Sequence, residues 1–185
     1  MNRSDFQLHL NAYIPHDEDE RSMLARMRHF VEGNEDCFLR SLAIGHITTS
    51  CWIVDPARER TLLTWHKRLD RWLQMGGHIE DGDESLLGSA LREAREESGL
   101  TTVRIVSEAI FDLDVHTIPA RKSEPEHDHY DVRFLFEADP ESPLIVSAES
   151  RDVAWVKLAD VVSKNADASM RRMVDKTLSS RSQLG

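Results

Sequence analysis

The chain has 185 residues, 40% of them hydrophobic, and a formal charge of −10. That length and apolar share suit one compact domain with an additional arm. The acidic balance argues against a basic binding face as the main function, so nucleic acid is not expected as a partner.

An acidic protein can still act on phosphates when bound cations neutralise both sides. The two cysteines, Cys37 and Cys51, form no C-x-x-C pattern, so no cysteine zinc site is expected and both read as ordinary thiols. The opening "MNRSDFQLHLNAYIPHDEDE" has no long apolar run. No leader and no membrane partner are expected, and the default localisation is cytoplasmic.

In chain order, "DEDERSMLARMRHFVE" places Met23, Leu24, Met27, Phe30 and Val31 at helical spacing, and Gly33 offers a stop. This predicts an amphipathic helix in an N-terminal arm, residues 1–44. Packing on the chain's own core is the first reading. A homodimer built by the arm is the second.

"GHITTSCWIVD" and "RTLLTWH" are rich in β-branched and apolar residues, with "DPARER" as a turn between them, and predict a hairpin. Residues 86–98 predict a helix. "LTTVRIVSEAIFDLDVH" begins a further strand region. "YDVRFLFEAD" alternates Val132, Phe134 and Phe136 and predicts a strong strand, and "VAWVKL" predicts a short one. "DASMRRMVDKTL" sets Met170, Met173, Val174 and Leu178 on one helical face. Strands, a helix, more strands and a final helix imply an α/β (α+β) fold with helices on a central sheet over residues 45–185.

The stretch that carries chemistry is "GHIEDGDESLLGSALREAREESGL", Gly77 to Leu100. On a helix, Glu93, Glu96 and Glu97 stand at i, i+3 and i+4 and share one face. Like charges there repel, a cost that makes sense if a cation sits among them. Carboxylate oxygens are hard ligands suited to Mg²⁺ or Mn²⁺. Leu87, Ala90, Leu91 and Ala94 form another, apolar face. Gly76 and Gly77 allow close backbone approach, and Gly99 suits a C-cap. A solvated charged helix would carry the same composition, and spacing alone does not separate the two readings.

The segment resembles the Nudix box, Gly-x5-Glu-x7-Arg-Glu-U-x-Glu-Glu-x-Gly-U, where U is aliphatic. Arg92, Glu93, Glu96, Glu97, Gly99 and Leu100 match, seven residues separate Glu84 from Arg92, and Ala94 takes an aliphatic position. One departure stands out: six residues, "HIEDGD", separate Gly77 from Glu84. The added residue lies in the loop before the helix and leaves the helix register intact. The downstream "DVH…IPA…H.HYDVRF" segment resembles a group of bacterial Nudix proteins.

The resemblance implies a Nudix α/β/α sandwich with a mixed central sheet. It implies Mg²⁺ (or Mn²⁺) as cofactor, with Glu93, Glu96, Glu97 and the Gly76 carbonyl as ligands. Arg92 would orient the glutamates, with Glu84 as its partner. The implied reaction is hydrolysis of a pyrophosphate bond in a nucleoside diphosphate linked to another group, so a small nucleotide-type substrate is the expected partner. Glu93 or Glu96 is the general-base candidate from the box, and Glu149 in "VSAESRDVAWV" is the candidate from a loop. A non-catalytic nucleotide or sugar-phosphate sensor and a diphosphate-ester isomerase are the alternatives.

Further candidates for substrate contact are His78, Arg68, His116, His127 and His129. The H-x-H of "HDHYD" puts two rings on one face of a strand, which serves a metal, a phosphate or plain packing alike. A pocket or structural role is preferred there to zinc. Lys67 and Arg71 join Arg68 as basic residues near a turn that are either phosphate contacts or solvated. Trp52, Trp65, Trp72 and Trp155 read as core, with stacking on a base as the other use.

Overall fold

The computed structural model describes residues 2–121 and 125–181. The outer ends of the expected arm and domain, Met1 and 182–185, lie outside the described residues. The helices are α1 (Arg3–Ala12), α2 (Glu18–Gly33), α3 (Leu86–Ser98), α4 (Leu158–Lys164) and α5 (Ala168–Arg181). The strands are β1 (Gly45–Val54), β2 (Arg60–His66), β3 (Arg71–Leu73), β4 (Met75–His78), β5 (Arg104–Ile105), β6 (Asp112–Ile118), β7 (His127–Glu137) and β8 (Ser150–Lys157). Hydrogen bonding orders the sheet β3-β2-β1-β7-β5, with β4 on β1, β6 on β7 and β8 on β2. This is the mixed α/β architecture that the element order implies.

The chain divides into two compact units. The first contains α1, α2, β6, β7 as far as Phe134, β1 as far as Ser50, and the segment from Gly77 to Ala90. Here the apolar stripe of α2 is real: Leu24, Met27, Phe30 and Val31 are buried, and Phe30 stacks on Tyr130 with ring centroids 3.9 Å apart. Asp17 caps the helix by accepting the N–H of Glu20 at 2.7 Å. Glu20 is also fully buried, against its usual preference for solvent. It accepts the hydroxyl of Tyr13 at 2.5 Å, the N–H of His16 at 2.6 Å and the N–H of Leu113 in β6 at 3.1 Å. Those bonds replace the water it loses. α2 thus packs on β6 of its own chain. Helix α1 escapes the sequence pattern because it buries only Phe6 and Leu10.

The same unit holds a buried ionic cluster. Arg133 on β7 donates to Asp131 at 2.8 Å, Asp112 at 3.1 Å and Asp114 at 3.0 Å. Asp131 also accepts the hydroxyls of Thr48 at 3.0 Å and Ser50 at 2.9 Å. Burial pulls the guanidinium pKa down, but Asp114, Asp131 and Asp112 outweigh it and raise it above its ordinary value.

The second unit contains β2, β3, β5, β8, α4, α5 and α3 from Leu91 onward. The predicted hairpin forms, with Ile53 opposite Leu62 and Val54 opposite Thr61. Asp55 closes its turn by accepting the N–H groups of Glu59 at 2.8 Å and Arg60 at 2.9 Å. β8 runs antiparallel to β2 from Arg60↔Lys157 to His66↔Ser150. Met170, Met173 and Val174 of α5 are buried, and Trp52 donates to Thr177 at 2.9 Å.

Three expectations change. Leu178 is 44% exposed, because only the first two turns of that apolar face of α5 are covered. The strand region after Leu100 is two strands, β5 and β6. Of the tryptophans, Trp52 and Trp72 are buried, whereas Trp65 and Trp155 are only half-buried.

Candidate functional site

Helix α3 spans Leu86–Ser98, as predicted, and Ser85 caps it: its hydroxyl accepts the N–H of Gly88 at 3.0 Å. Ala90 and Ala94 are fully buried, while Leu87 and Leu91 of the same expected face are half-buried. Small side chains there let the helix approach its neighbours closely. At the other end, Gly99 adopts φ +72° and its N–H bonds to the Arg95 carbonyl at 2.8 Å. A side chain at Gly99 would meet Ile145 at 2.6 Å. The position therefore demands glycine twice, for backbone hand and for space.

The carboxylates grade from interior to rim. Glu97 is buried, the Glu93 side chain is 12% exposed, and that of Glu96 is 57% exposed. Arg92 bonds Glu93 at 2.9 Å and Glu96 at 3.0 Å through one terminal nitrogen. Arg92 thus contacts two of the three glutamates, while Glu84 stands exposed.

Glu97 is pushed up to about 8, first by burial and next by the Glu93 charge, with Glu149 and Glu96 adding to it. The backbone N–H of Gly76 bonds to the Glu97 carboxylate and opposes the rise. Gly76 itself adopts φ +156°. These donors are all oxygens, and Arg92 and the Gly76 N–H offset only part of their mutual repulsion. A hard divalent cation fits such a set.

Glu149 is brought within the electrostatic reach of Glu97, although it lies more than fifty residues away in sequence. Its loop is tied down by Lys67, whose N–H bonds to the Glu149 carbonyl at 3.0 Å and whose ammonium bonds to the Ala148 carbonyl at 2.7 Å. Lys67 therefore has a structural occupation. Arg71 pairs with Asp167 at 2.8 Å. Arg68 is exposed.

The candidate histidines gather in the first unit. His116 faces His129 directly across β6 and β7, with ring centroids 5.5 Å apart. His78 and His127 each lie 5.2 Å from His129. His46, near the start of β1, was not among the sequence candidates, and it sits 4.8 Å from His129 and 5.1 Å from His78. Burial, then the neighbouring rings of His46, His116, His78 and His127, push His129 down to about 2. No local signal marks His46, because its neighbours come from other strands.

The fold and the carboxylate-bearing helix define a mixed α/β protein with an acidic helix face, and comparison with known proteins specifies its family. The NUDIX domain profile matches residues 45–177. The chain belongs to the Nudix family. Among solved structures, it is similar to an Ap4A hydrolase of C. elegans in a binary complex, with 17% identity, 76% of this chain and 98% of that chain covered, and a TM-score of 0.58. It is also similar to a NUDIX-family hydrolase from Clostridium perfringens at 24% identity, covering 71% and 95%, with a TM-score of 0.53. A MutT protein from Methanosarcina mazei Go1 aligns at 20% identity over 75% and 96%, with a TM-score of 0.51. At these identities the likeness concerns the fold. No curated protein matches the chain.

Proposed function

We propose that this chain is a Mg²⁺- or Mn²⁺-dependent Nudix pyrophosphohydrolase, which cleaves the pyrophosphate bond of a nucleoside diphosphate linked to another group. The observation that carries this reading is the α3 face with Glu93, Glu96 and buried Glu97 in one patch, Arg92 bonded to two of them. Glu93, Glu96 and Glu97 would hold the cation, joined by the Gly76 carbonyl. The cation, when bound, supplies Lewis acidity toward phosphoryl oxygens and lowers the pKa of water.

The chain's own residues do the rest. Arg92 is a positioning residue that keeps Glu93 and Glu96 in register. Burial of Glu97 strengthens its grip on a cation by excluding competing water. A carboxylate must take the proton of the attacking water. Glu93 and Glu96 are the box candidates, and the field of Glu149 at Glu97 favours keeping this loop glutamate beside them. His78, Arg68, His116, His127 and His129 are proposed for substrate contact.

The N-terminal 44 residues are proposed as an arm that braces residues 45–185, supported by the burial of Leu24, Met27, Phe30 and Val31 within the chain. A homodimer remains a reading for light scattering to decide. Among the described residues no helix is long and apolar enough to cross a membrane. A cytoplasmic site of action is the proposal that goes with a nucleotide-type substrate.

The test is a substrate panel with Mg²⁺ and with Mn²⁺: ADP-ribose, dinucleoside polyphosphates, dinucleotide coenzymes, nucleoside triphosphates and capped RNA ends. One substrate with a much higher kcat/KM, lost on metal removal, is the expected result. Flat responses throughout would overturn the enzyme reading in favour of a sensing domain.

A further inference from the structure

Five of the chain's nine histidines converge in the first unit, delivered by four different strands: His46 by β1, His78 by β4, His116 by β6, and His127 and His129 by β7. None of the box carboxylates takes part. Within this group, His46, His127 and His129 each offer a ring nitrogen, and the three nitrogens lie within 4.8 Å of one another. We infer that His46, His127 and His129 form a transition-metal site for a borderline divalent ion of the Zn²⁺ type.

The ligand chemistry selects the ion. Imidazole nitrogens suit Zn²⁺ and its transition-metal neighbours, whereas Mg²⁺ prefers oxygen. The site is thus chemically distinct from the carboxylate patch on α3. A tetrahedral site with Zn–N bonds near 2.0–2.1 Å needs nitrogens roughly 3.4 Å apart. Closing from 4.8 Å requires about 1.4 Å of contraction, shared between two rings that turn about their side-chain bonds.

Strand geometry prepares the three rings. His127 and His129 alternate along β7 and therefore project from the same face. The ring of His46 is within 5.3 Å of His127 and 4.8 Å of His129, measured between centroids. His46 is 2% exposed and His127 and His129 are half-buried, so the group has a closed floor and an accessible side.

The tautomer of His127 is also set. Its Nδ1 lies 2.8 Å from the Pro125 carbonyl oxygen, which can only accept, so Nδ1 carries the proton. The lone pair is left on Nε2. A ligand histidine is commonly oriented in this way, by a hydrogen bond from its other nitrogen. His116 repeats the arrangement, with Nδ1 3.2 Å from the Asp114 carboxylate. His116 and His78 flank His129 and are the nearest histidines from which a fourth ligand could come. With neither engaged, three imidazoles leave one position open to water or an anion, as in catalytic zinc sites.

The test uses the full chain and Zn²⁺ alone as the probe, with excess Mg²⁺ present to occupy hard oxygen sites. Equilibrium dialysis followed by elemental analysis should give about one zinc per chain, and zinc should raise the Tm. His129→Asn and His127→Asn should each weaken zinc binding at least tenfold and remove the Tm shift, while Glu97→Gln leaves both unchanged. His127 is half-buried, so its variant keeps the test meaningful even where replacement of buried His46 disrupts folding. Circular dichroism of each variant separates lost binding from lost fold. Absence of stoichiometric zinc in the wild-type chain would overturn the inference. So would zinc that survives in folded His127→Asn and His129→Asn but disappears in Glu97→Gln.

Discussion

The backbone N–H of Gly76 bonds to the carboxylate of Glu97, across twenty-one residues of sequence and at the buried end of the α3 patch. This bond ties the glycine pair that precedes the loop to the helix that follows it. That bond does not involve the residues of the loop between them. The loop closes on itself instead: Asp83 accepts the Glu80 N–H at 2.9 Å, and its own N–H bonds to the Glu80 carbonyl at 3.0 Å.

The first prediction concerns the glutamates and Arg92. Glu97→Gln and Glu96→Gln should abolish metal-dependent hydrolysis on the best panel substrate. Arg92→Lys cannot span Glu93 and Glu96 with a planar guanidinium, and should weaken apparent metal affinity by about 10–100-fold, the usual effect of losing a ligand's supporting group. Raising the metal concentration should restore much of the Arg92→Lys activity and none of that of Glu97→Gln. Wild-type rates in both glutamine variants would refute the role given to the box.

A second prediction follows from the Glu97 pKa. In the metal-free chain it lies at about 8, above the ordinary 4.5, so the folded state holds a proton that the unfolded state has released. Its stabilising contribution is fully present below the lower value and is lost as pH rises through about 8. A cation must displace that proton, so affinity rises with pH until about 8 and then levels off. Titrating Mg²⁺ into weakly buffered protein near neutral pH should release about one proton per chain, and far less from Glu97→Gln. Equal release from both would place the proton elsewhere.

Arg133 offers a test of stability. Its side chain is 3% exposed and is bonded to three aspartates. Arg133→Met leaves their charges uncompensated in the interior and should cost about 3–5 kcal/mol. Urea unfolding followed by fluorescence should show a lower midpoint at unchanged slope. A midpoint within error of the wild type would mean that the cluster is more hydrated than its burial indicates.

Gly99 separates backbone strain from crowding. Gly99→Ala should destabilise by about 1–2 kcal/mol from the left-handed backbone alone. The contact at 2.6 Å with Ile145 adds to that. Ile145 is 65% exposed, so Ile145→Gly can remove the crowding at modest cost. In the double variant, thermal melts should recover the crowding part and leave the strain. Full recovery would show that the φ of +72° is not needed.

Much of this was legible in the sequence because it is local. The helix over residues 86–98 follows from apolar spacing on one face and carboxylate spacing on another. The hairpin follows from two β-branched runs around "DPARER". α2 follows from its apolar stripe. The elements that escaped are those with little pattern to show. α1 buries two residues, β3 and β4 are three and four residues long, and α4 is a short helix directly after β8.

Sequence alone therefore determined the family resemblance, the helix register and the sharing of one face by Glu93, Glu96 and Glu97, since a helix converts spacing into direction. Tertiary structure decided what each group experiences. It buried Glu97 and left Glu96 at the rim, brought the charge of Glu149 to bear, and paired Glu20 with the backbone of β6. It also gathered His46 with four histidines from other strands. Those relations arise from strand order and burial, which join residues far apart in the chain and leave no trace in any short window of it.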